Sequence, residues 1–482
     1  MDRTSPQAAM SRRGFLAGLL AAASAGAAGP GPKRLVTGEA PALTKRPNFL
    51  FLFSDDQRFD TIHALGNAEI QTPVLDSLVA RGTAFTHHYI QGGVHGAICV
   101  CSRAILMTGQ SLWHAMATID KAPLLPEVLA KAGYETFITG KWHNSPASCA
   151  RAFTSGADIF LGGMANHDKV PVHDFDPSGK FPKSGQRTAP KFSSEDFSDA
   201  AIAFLKNRKA GEKPFFAYVS YTAPHDPRMA PKEYAGLYPP EKIKLPPNFM
   251  PAHPFDNGEL KVRDEKLAPF PRTEAAVRQH IAAYYAMITH LDAQIGRVLQ
   301  VLKETGHAED TIIVFNGDNG LAVGRHGLMG KQNLYDHSVR TPLIIAGPGI
   351  PAGKRCDALV CQHDLFPTLC WPAGVDVPAS VEGKSLLPLI SGSQPAVHDS
   401  VFAAYRDVQR MVRVGNYKLI EYPKVRRTQL FDLSADPDEM KDLSAQADQA
   451  ERVNQLRARL LEWQKKTDDP MLRSPSSLQD KR

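Results

Sequence analysis

Asn48-Phe49-Leu50-Phe51-Leu52-Phe53 is an almost unbroken apolar run that stops abruptly at Ser54-Asp55-Asp56. An apolar run without alternation suits a strand buried on both faces, and such a strand needs helices above and below it. The same grammar recurs along the chain. Thr136 to Ile138 reads as a strand running into Gly140-Lys141-Trp142-His143, and Pro214 to Ser220 as one running into Ala223-Pro224-His225-Asp226. Thr311 to Phe315 runs into Asn316-Gly317-Asp318-Asn319-Gly320, and Pro342 to Ala346 forms a further strand. Between them the pattern predicts helices. One runs from Thr72-Pro73 to Ala80, with Thr72 as N-cap and Gly82 as C-cap; another covers Leu124 to Ala132; a long one spans about Thr273 to Glu304. This order predicts an α/β fold, a large mostly parallel sheet sandwiched by helices. Ligands of such sheets sit beyond the carboxyl ends of the strands, where these polar residues cluster.

From about Val377 the grammar changes. Val401–Tyr405, Met411–Val414, Tyr417–Tyr422 and Gln429–Leu433 read as short strands with tight turns, and Ala450 to Lys465 as a helix. A small C-terminal antiparallel sheet plus one helix is expected, so the chain divides into 47–376 and 377–482. At 482 residues and 43% hydrophobic it can bury a core without staples, and its six cysteines are too few and scattered for a disulfide scaffold. A net charge of +6 with no basic run gives no reason to expect nucleic-acid binding.

The first segment reads as an address. Ser11-Arg12-Arg13-Gly14-Phe15-Leu16 precedes an Ala-rich apolar stretch ending at Ala28, which resembles a twin-arginine signal peptide over 1–28; a Pro/Gly/Lys linker follows over 29–46. The stretch is shorter than the ~20 residues a spanning helix needs, so no stable membrane anchor is expected. The export machinery would carry the folded chain to the periplasm or the medium.

The strand ends offer specific chemistry. Asp55 and Asp56 lie at one, Asp318 and Asn319 at another. Taken alone, Asp55-Asp56 reads as a helix cap and Asp318-Asn319 as a turn. Together they offer an all-oxygen set that suits a hard cation, Ca²⁺ before Mg²⁺, whereas zinc would bring His or Cys. Cys99-Val100-Cys101-Ser102-Arg103 precedes the helix-forming stretch Ala104–Met107, so Cys99 falls near a helix amino end, where anions and thiolates are favoured. Lys141, His143, His225 and Lys331 follow strands or glycines and would add the cationic groups that an oxyanion needs.

Taken in order, these segments resemble the formylglycine-dependent sulfatases of the alkaline phosphatase superfamily. The matches are Phe53-Ser54-Asp55-Asp56-Gln57, Thr72-Pro73-Val74-Leu75-Asp76, Cys99 to Gly109, Thr139-Gly140-Lys141-Trp142-His143, Ala223-Pro224-His225 and Gly317-Asp318-Asn319-Gly320. Gly327-Leu328-Met329-Gly330-Lys331 and Leu430-Phe431-Asp432-Leu433 with Asp436-Pro437 complete the set, which spans about residues 47 to 465. The resemblance implies that a maturation enzyme oxidises Cys99 to formylglycine, whose hydrate is the nucleophile. It implies that Asp55, Asp56, Asp318 and Asn319 hold Ca²⁺, that Arg103 orients the hydrate, and that Lys141 and Lys331 bind sulfate. His225 would assist the departing alcohol and His143 the breakdown of the sulfo-enzyme. One position departs from the pattern: Cys101 stands where the family has Pro or Ala, and its thiol is a possible disulfide partner for Cys99.

The expected activity is hydrolysis of a sulfuric ester, with a sulfated saccharide as first substrate and an aryl or choline sulfate as second. The long loops 144–187 and 234–271 are the expected substrate loops, with Lys169, His173, Lys183, Arg187 and His253 as candidate contacts. A phosphate or phosphonate ester hydrolase on the same scaffold, or an inactive sulfoglycan-binding protein, would carry similar residues.

Overall fold

The computed structural model describes residues 45–209 and 212–473. The signal-peptide reading and nearly all of the linker lie outside them. Among the described residues no helix is long and apolar enough to cross a membrane.

The Asn48–Ser54 run is a strand, buried at every position. It lies inside an eight-stranded sheet ordered Lys354–Cys361, Gly82–Tyr89, Arg340–Ala346, Thr311–Gly317, Asn48–Ser54, Phe215–Ser220, Glu135–Lys141, Ser155–Phe160. Every neighbouring pair is parallel except the two made by Arg340–Ala346. Alternate residues of the first strand feed two separate cores. Phe49, Phe51 and Phe53 join the helices Ile98–Thr108, Leu112–Thr118, Leu125–Lys131 and Leu365–Cys370 on one face. Leu50 and Leu52 join Pro73–Arg81, Ser193–Lys206 and Glu274–Glu304 on the other. That two-sided burial is why the run shows no alternation.

The second sheet is ordered Arg427–Asp432, Tyr417–Tyr422, Gln409–Val414, Ser400–Tyr405, Gly92–Gly93. Its four long strands are antiparallel, and the Gly92–Gly93 pair adds in parallel beside Ala404 and Tyr405. One face packs on the helix Ala450–Lys466 through Val453, Leu456, Leu460 and Trp463.

The structure corrects one capping expectation. The helix Pro73–Arg81 follows Thr72, but the Thr72 side chain makes no cap bond. Thr72 Oγ1 instead accepts the His63 N–H, at 2.9 Å. The orphan donors at Val74 and Leu75 go to the Asp292 carboxylate on the long helix, at 3.0 and 2.7 Å. Gly82 does not close the helix with a left-handed residue. Its backbone is extended, and the chain passes straight into the strand Gly82–Tyr89.

Candidate active site

The carboxyl ends of four central strands meet around the amino end of the helix Ile98–Thr108. The first strand delivers Asp55 and Asp56, and its parallel neighbour Thr311–Gly317 delivers Asp318 and Asn319. The Asp318 N–H donates to Ser54 O at 3.1 Å and the Asp56 N–H to Asp318 Oδ1 at 2.9 Å, so backbone and side chain lock the two ends together. Lys141 ends its own strand. Gly140 before it has φ of +87, and a Cβ there would lie 1.9 Å from Ser220 O, so only glycine lets these two strand ends approach. Asp56 and His143 also hold positive φ, at 65 and 57, an uncommon backbone state for residues with side chains.

The ten residues assigned from the sequence to the metal, nucleophile and oxyanion groups lie in one contact network. Asp55 is paired with Lys141; Asp56 Oδ1 takes Lys331 Nζ at 2.6 Å and Asn319 Nδ2 at 2.7 Å. Arg103 donates to Asp318 Oδ2 at 3.0 Å and to Lys141 O at 2.9 Å, and also reaches Ser220 Oγ. Cys99 Sγ lies 3.1 Å from His143 Nδ1 and 3.5 Å from Lys141 Nζ. His225 Nε2 stands 3.7 Å from Asp56 Oδ2.

The electrostatics of this network are unbalanced by design of the fold. Asp55, Asp56, Asp318, Asn319, Arg103 and Lys141 are all fully buried. Burial works against the Asp55 anion, yet Lys141, His225, Arg103 and Lys331 hold its carboxyl well below the usual range. Asp318 goes the other way, pushed up by burial and by the neighbouring Asp55. Burial raises the Cys99 thiol against the pull of Lys141 and Lys331, and it lowers His143 together with Lys141 and Arg103. Three buried oxygens, Asp55 Oδ1, Asp56 Oδ2 and Asn319 Oδ1, have no hydrogen-bond partner. Bare buried acceptors are costly. Three carboxylates and an amide converging with such oxygens fit a hard divalent cation. Metal-ligating atoms of Asp55, Asp56 and His225, and of Asp55, Cys99 and Asp318, lie within 4.8 Å of one another.

The sequence profile of the sulfatase family matches residues 47–375. The chain belongs to the sulfatase family. It is an enzyme of sulfate-ester hydrolysis. A second profile, that of the N-sulphoglucosamine sulphohydrolase C-terminal region, matches residues 324–466. The chain is 28% identical to N-acetylglucosamine-6-O-sulfatase of Bacteroides thetaiotaomicron, over 89% of this chain and 88% of that one. It is also 28% identical to choline-sulfatase of Rhizobium meliloti, over 83% of each. Among solved structures, one described as a complex with its substrate D-glucosamine-2-N,6-O-disulfate shares the fold with a TM-score of 0.74 at 22% identity, covering 91% of this chain and 100% of that one. Phosphonate monoester hydrolase of Agrobacterium radiobacter shares it with a TM-score of 0.69 at 23% identity, covering 88% and 96%.

In this sulfatase Cys101 is a core residue. It packs with Ala104 and Ile105 in the cluster beneath the sheet, and residues two apart on a helix do not face each other. Cys99 and Cys101, the pair that the sequence offered as a disulfide, are not joined. Of the candidate loop contacts, Arg187 pairs with Asp158 and Asp174, and His253 is enclosed by Phe255 and Tyr335. His173 meets Gln186 and Lys169 turns back on Asn166, and none of the five joins the network. Several supporting residues escaped sequence reasoning. Tyr284, on the long helix, donates to Asp56 O and accepts the Arg58 N–H. His167 places Nε2 2.9 Å from His225 O. Ser220, the last residue of a predicted strand, was the one of these with a visible signal.

Proposed function

We propose that this sulfatase is an exported, calcium-dependent enzyme that removes sulfate from a sulfated saccharide through a formylglycine made from Cys99. The observation that carries the reading is the setting of Cys99. Its Sγ sits at a helix amino end, within reach of Lys141 and His143, beside buried carboxylate oxygens that have no partner. A cation bound by Asp55, Asp56, Asp318 and Asn319 would supply Lewis-acid stabilisation of negative charge, and oxidised Cys99 would supply a hydroxyl nucleophile.

The chain's own residues account for the rest. Lys141 and Lys331 Nζ bind the sulfate oxygens and orient the ester for in-line attack. Arg103, gripped by Asp318, Ser220 and the Lys141 carbonyl, holds the nucleophile's orientation from below. His143, kept neutral by burial and nearby cations, accepts the proton at Nδ1 that must leave residue 99. His225 has Nδ1 on Asp226 O at 2.7 Å, which leaves Nε2 to protonate the departing alcohol oxygen. The S–O bond to that oxygen breaks as the new one forms.

The saccharide substrate is supported by the N-acetylglucosamine-6-O-sulfatase relative and by the structural neighbour with a sulfated glucosamine. Export is supported by the Arg12-Arg13 motif and the apolar stretch after it. Residues 47–376 would form the catalytic part and 377–482 the small C-terminal part, in keeping with the change of sheet beyond Cys361. The test is co-expression with a formylglycine-generating enzyme, mass spectrometry of the Cys99 peptide, and release of sulfate from N-acetylglucosamine 6-sulfate beside release of phosphate from the 6-phosphate. An aldehyde at residue 99 with faster sulfate release is expected. An intact thiol in an active enzyme, or faster phosphate release, would overturn the reading.

A further inference from the structure

One ion-paired residue at the edge of the site braces, through two carboxylates, both the loop of His225 and the segment of Lys331. Arg263 lies in the loop 234–271, its side chain 47% exposed, while Asp226 beside it is only 3% exposed. The guanidinium grips both Asp226 oxygens in a fork, one arm at 2.8 Å, and places Nη1 3.0 Å from Asp264 Oδ1. Nη2 also rests on the sulfur of Met164, an exposed residue next to Gly163. Gly163 in turn lies so close to His143 that a Cβ there would stand 2.4 Å from its Nε2.

Each carboxylate leads inward. Asp226 follows His225 directly; its backbone carbonyl takes His225 Nδ1 at 2.7 Å, and its Oδ1 waits only 3.5 Å from the same nitrogen. Asp264 Oδ2 accepts from Gln332 Nε2 at 2.8 Å, and Gln332 accepts the Lys331 N–H at 3.2 Å and donates to Gly96 O at 3.0 Å. Arg263 therefore ties together the loop of His225, the segment of Lys331 and the turn that enters the Cys99 helix.

We propose that Arg263 is a positioning residue for the leaving-group step. Resting on the reading of His225 as the proton donor, it does so by holding the Asp226 carboxylate away from the imidazole. With the fork in place, Nδ1 stays on the Asp226 carbonyl and Nε2 faces the scissile ester. Without it, the freed carboxylate competes with the Asp226 carbonyl for Nδ1–H and turns the ring, so that Nε2 no longer faces the scissile ester. The turn of the ring leaves Lys141 where it is.

The experiment compares two sulfate esters in the matured enzyme. N-acetylglucosamine 6-sulfate expels an alkoxide and needs a proton; 4-nitrophenyl sulfate expels a stabilised phenolate and needs little help. Arg263→Met is expected to lower kcat for the sugar ester about 100-fold, within the range of general acid catalysis, and kcat for the nitrophenyl ester less than about 5-fold. Arg263→Lys, which keeps the charge but loses the fork, should recover part of the loss, and KM should move little. A misfolded variant would lose both substrates alike, as would a purely structural role, and equal losses overturn the proposal. His225→Gln is run beside it. If His225→Gln itself shows no leaving-group dependence, the reading of His225 fails; if it does and Arg263→Met does not, the positioning role alone fails. A wild-type enzyme inert to both esters removes the functional reading on which the proposal stands.

Discussion

Two regions of this sulfatase bury a similar collection of charges and treat them differently. At the ends of the central strands, Asp55, Asp56 and Asp318 face Lys141, Lys331 and Arg103. Under the C-terminal sheet, Asp336 and Glu439 face Lys418, with Arg413 and Arg340 close by. In the second region every carboxylate oxygen meets a cation or a donor, Glu439 Oε1 through its ion pair with Lys418 Nζ at 2.7 Å. Asp336 Oδ1 takes Lys418 Nζ at 2.8 Å, the Tyr89 hydroxyl lies 3.0 Å from Oδ2, and Glu439 Oε2 accepts the Asp336 N–H at 2.7 Å. In the first, three buried oxygens, one each from Asp55, Asp56 and Asn319, have no hydrogen-bond partner. Buried charge that is fully paired specifies a fold; buried acceptors left bare specify something still to be bound.

Breaking the comparison should give opposite results in the two places. Asp318→Asn is expected to lower kcat/KM by at least about 1000-fold, some 4 kcal/mol of transition-state stabilisation. The stability of the metal-free protein should not fall, because the change removes a carboxylate that burial and Asp55 already disfavour as an anion. Steady-state kinetics and urea melts of one preparation check both halves. Lys418→Met should do the reverse. It leaves Asp336 and Glu439 facing each other without their cation, a loss of about 3–5 kcal/mol in denaturant titration, with turnover per folded molecule retained.

Metal should act on one region alone. Adding Ca²⁺ at 100 times its dissociation constant should stabilise the chelated protein by about 2.7 kcal/mol, and Lys418→Met should gain the same increment from its lower starting point. A calcium response that disappears with Lys418 would mean the two regions are not independent.

The smallest effect sharpens the contrast at a third carboxylate. Asp292 is fully used, capping the helix Pro73–Arg81, yet burial pushes it up to about 7 from 3.8. The folded protein therefore holds this proton more tightly than the unfolded chain. Its contribution to stability is complete below 3.8 and is lost as pH rises through about 7, so unfolding free energy should fall across that window. Asp292→Asn should flatten the slope while costing about 1 kcal/mol for the lost cap bond. An unchanged slope would show that Asp292 titrates normally.

Much of the large sheet was legible because strands buried on both faces announce themselves, and polar residues at their ends stand out. Asn48–Phe53 followed by Asp55-Asp56, and Thr311–Phe315 followed by Asp318-Asn319, are of this kind. Gly82–Tyr89 was hidden because Gly82 reads as a helix terminator. Ser155–Phe160 was hidden because only its last residues are apolar. The small sheet's fifth strand is two glycines, which carry no pattern at all. In the site, the residues that touch the chemistry sit at strand ends, on the helix that opens with Cys99, or after a glycine as Lys331 does, and were found. Those that brace it were not. Tyr284 lies mid-helix and Arg263 in a long loop, and each matters only through partners that the fold brings from far along the chain.

The most direct test is calorimetric titration of Ca²⁺ into metal-free enzyme, wild type beside Asp318→Asn. One calcium per wild-type molecule, and binding abolished or weakened at least about 100-fold in the variant, is the predicted result. Equal affinity in the two proteins, or no binding to the wild type, would contradict the assignment of Asp55, Asp56, Asp318 and Asn319 to a metal.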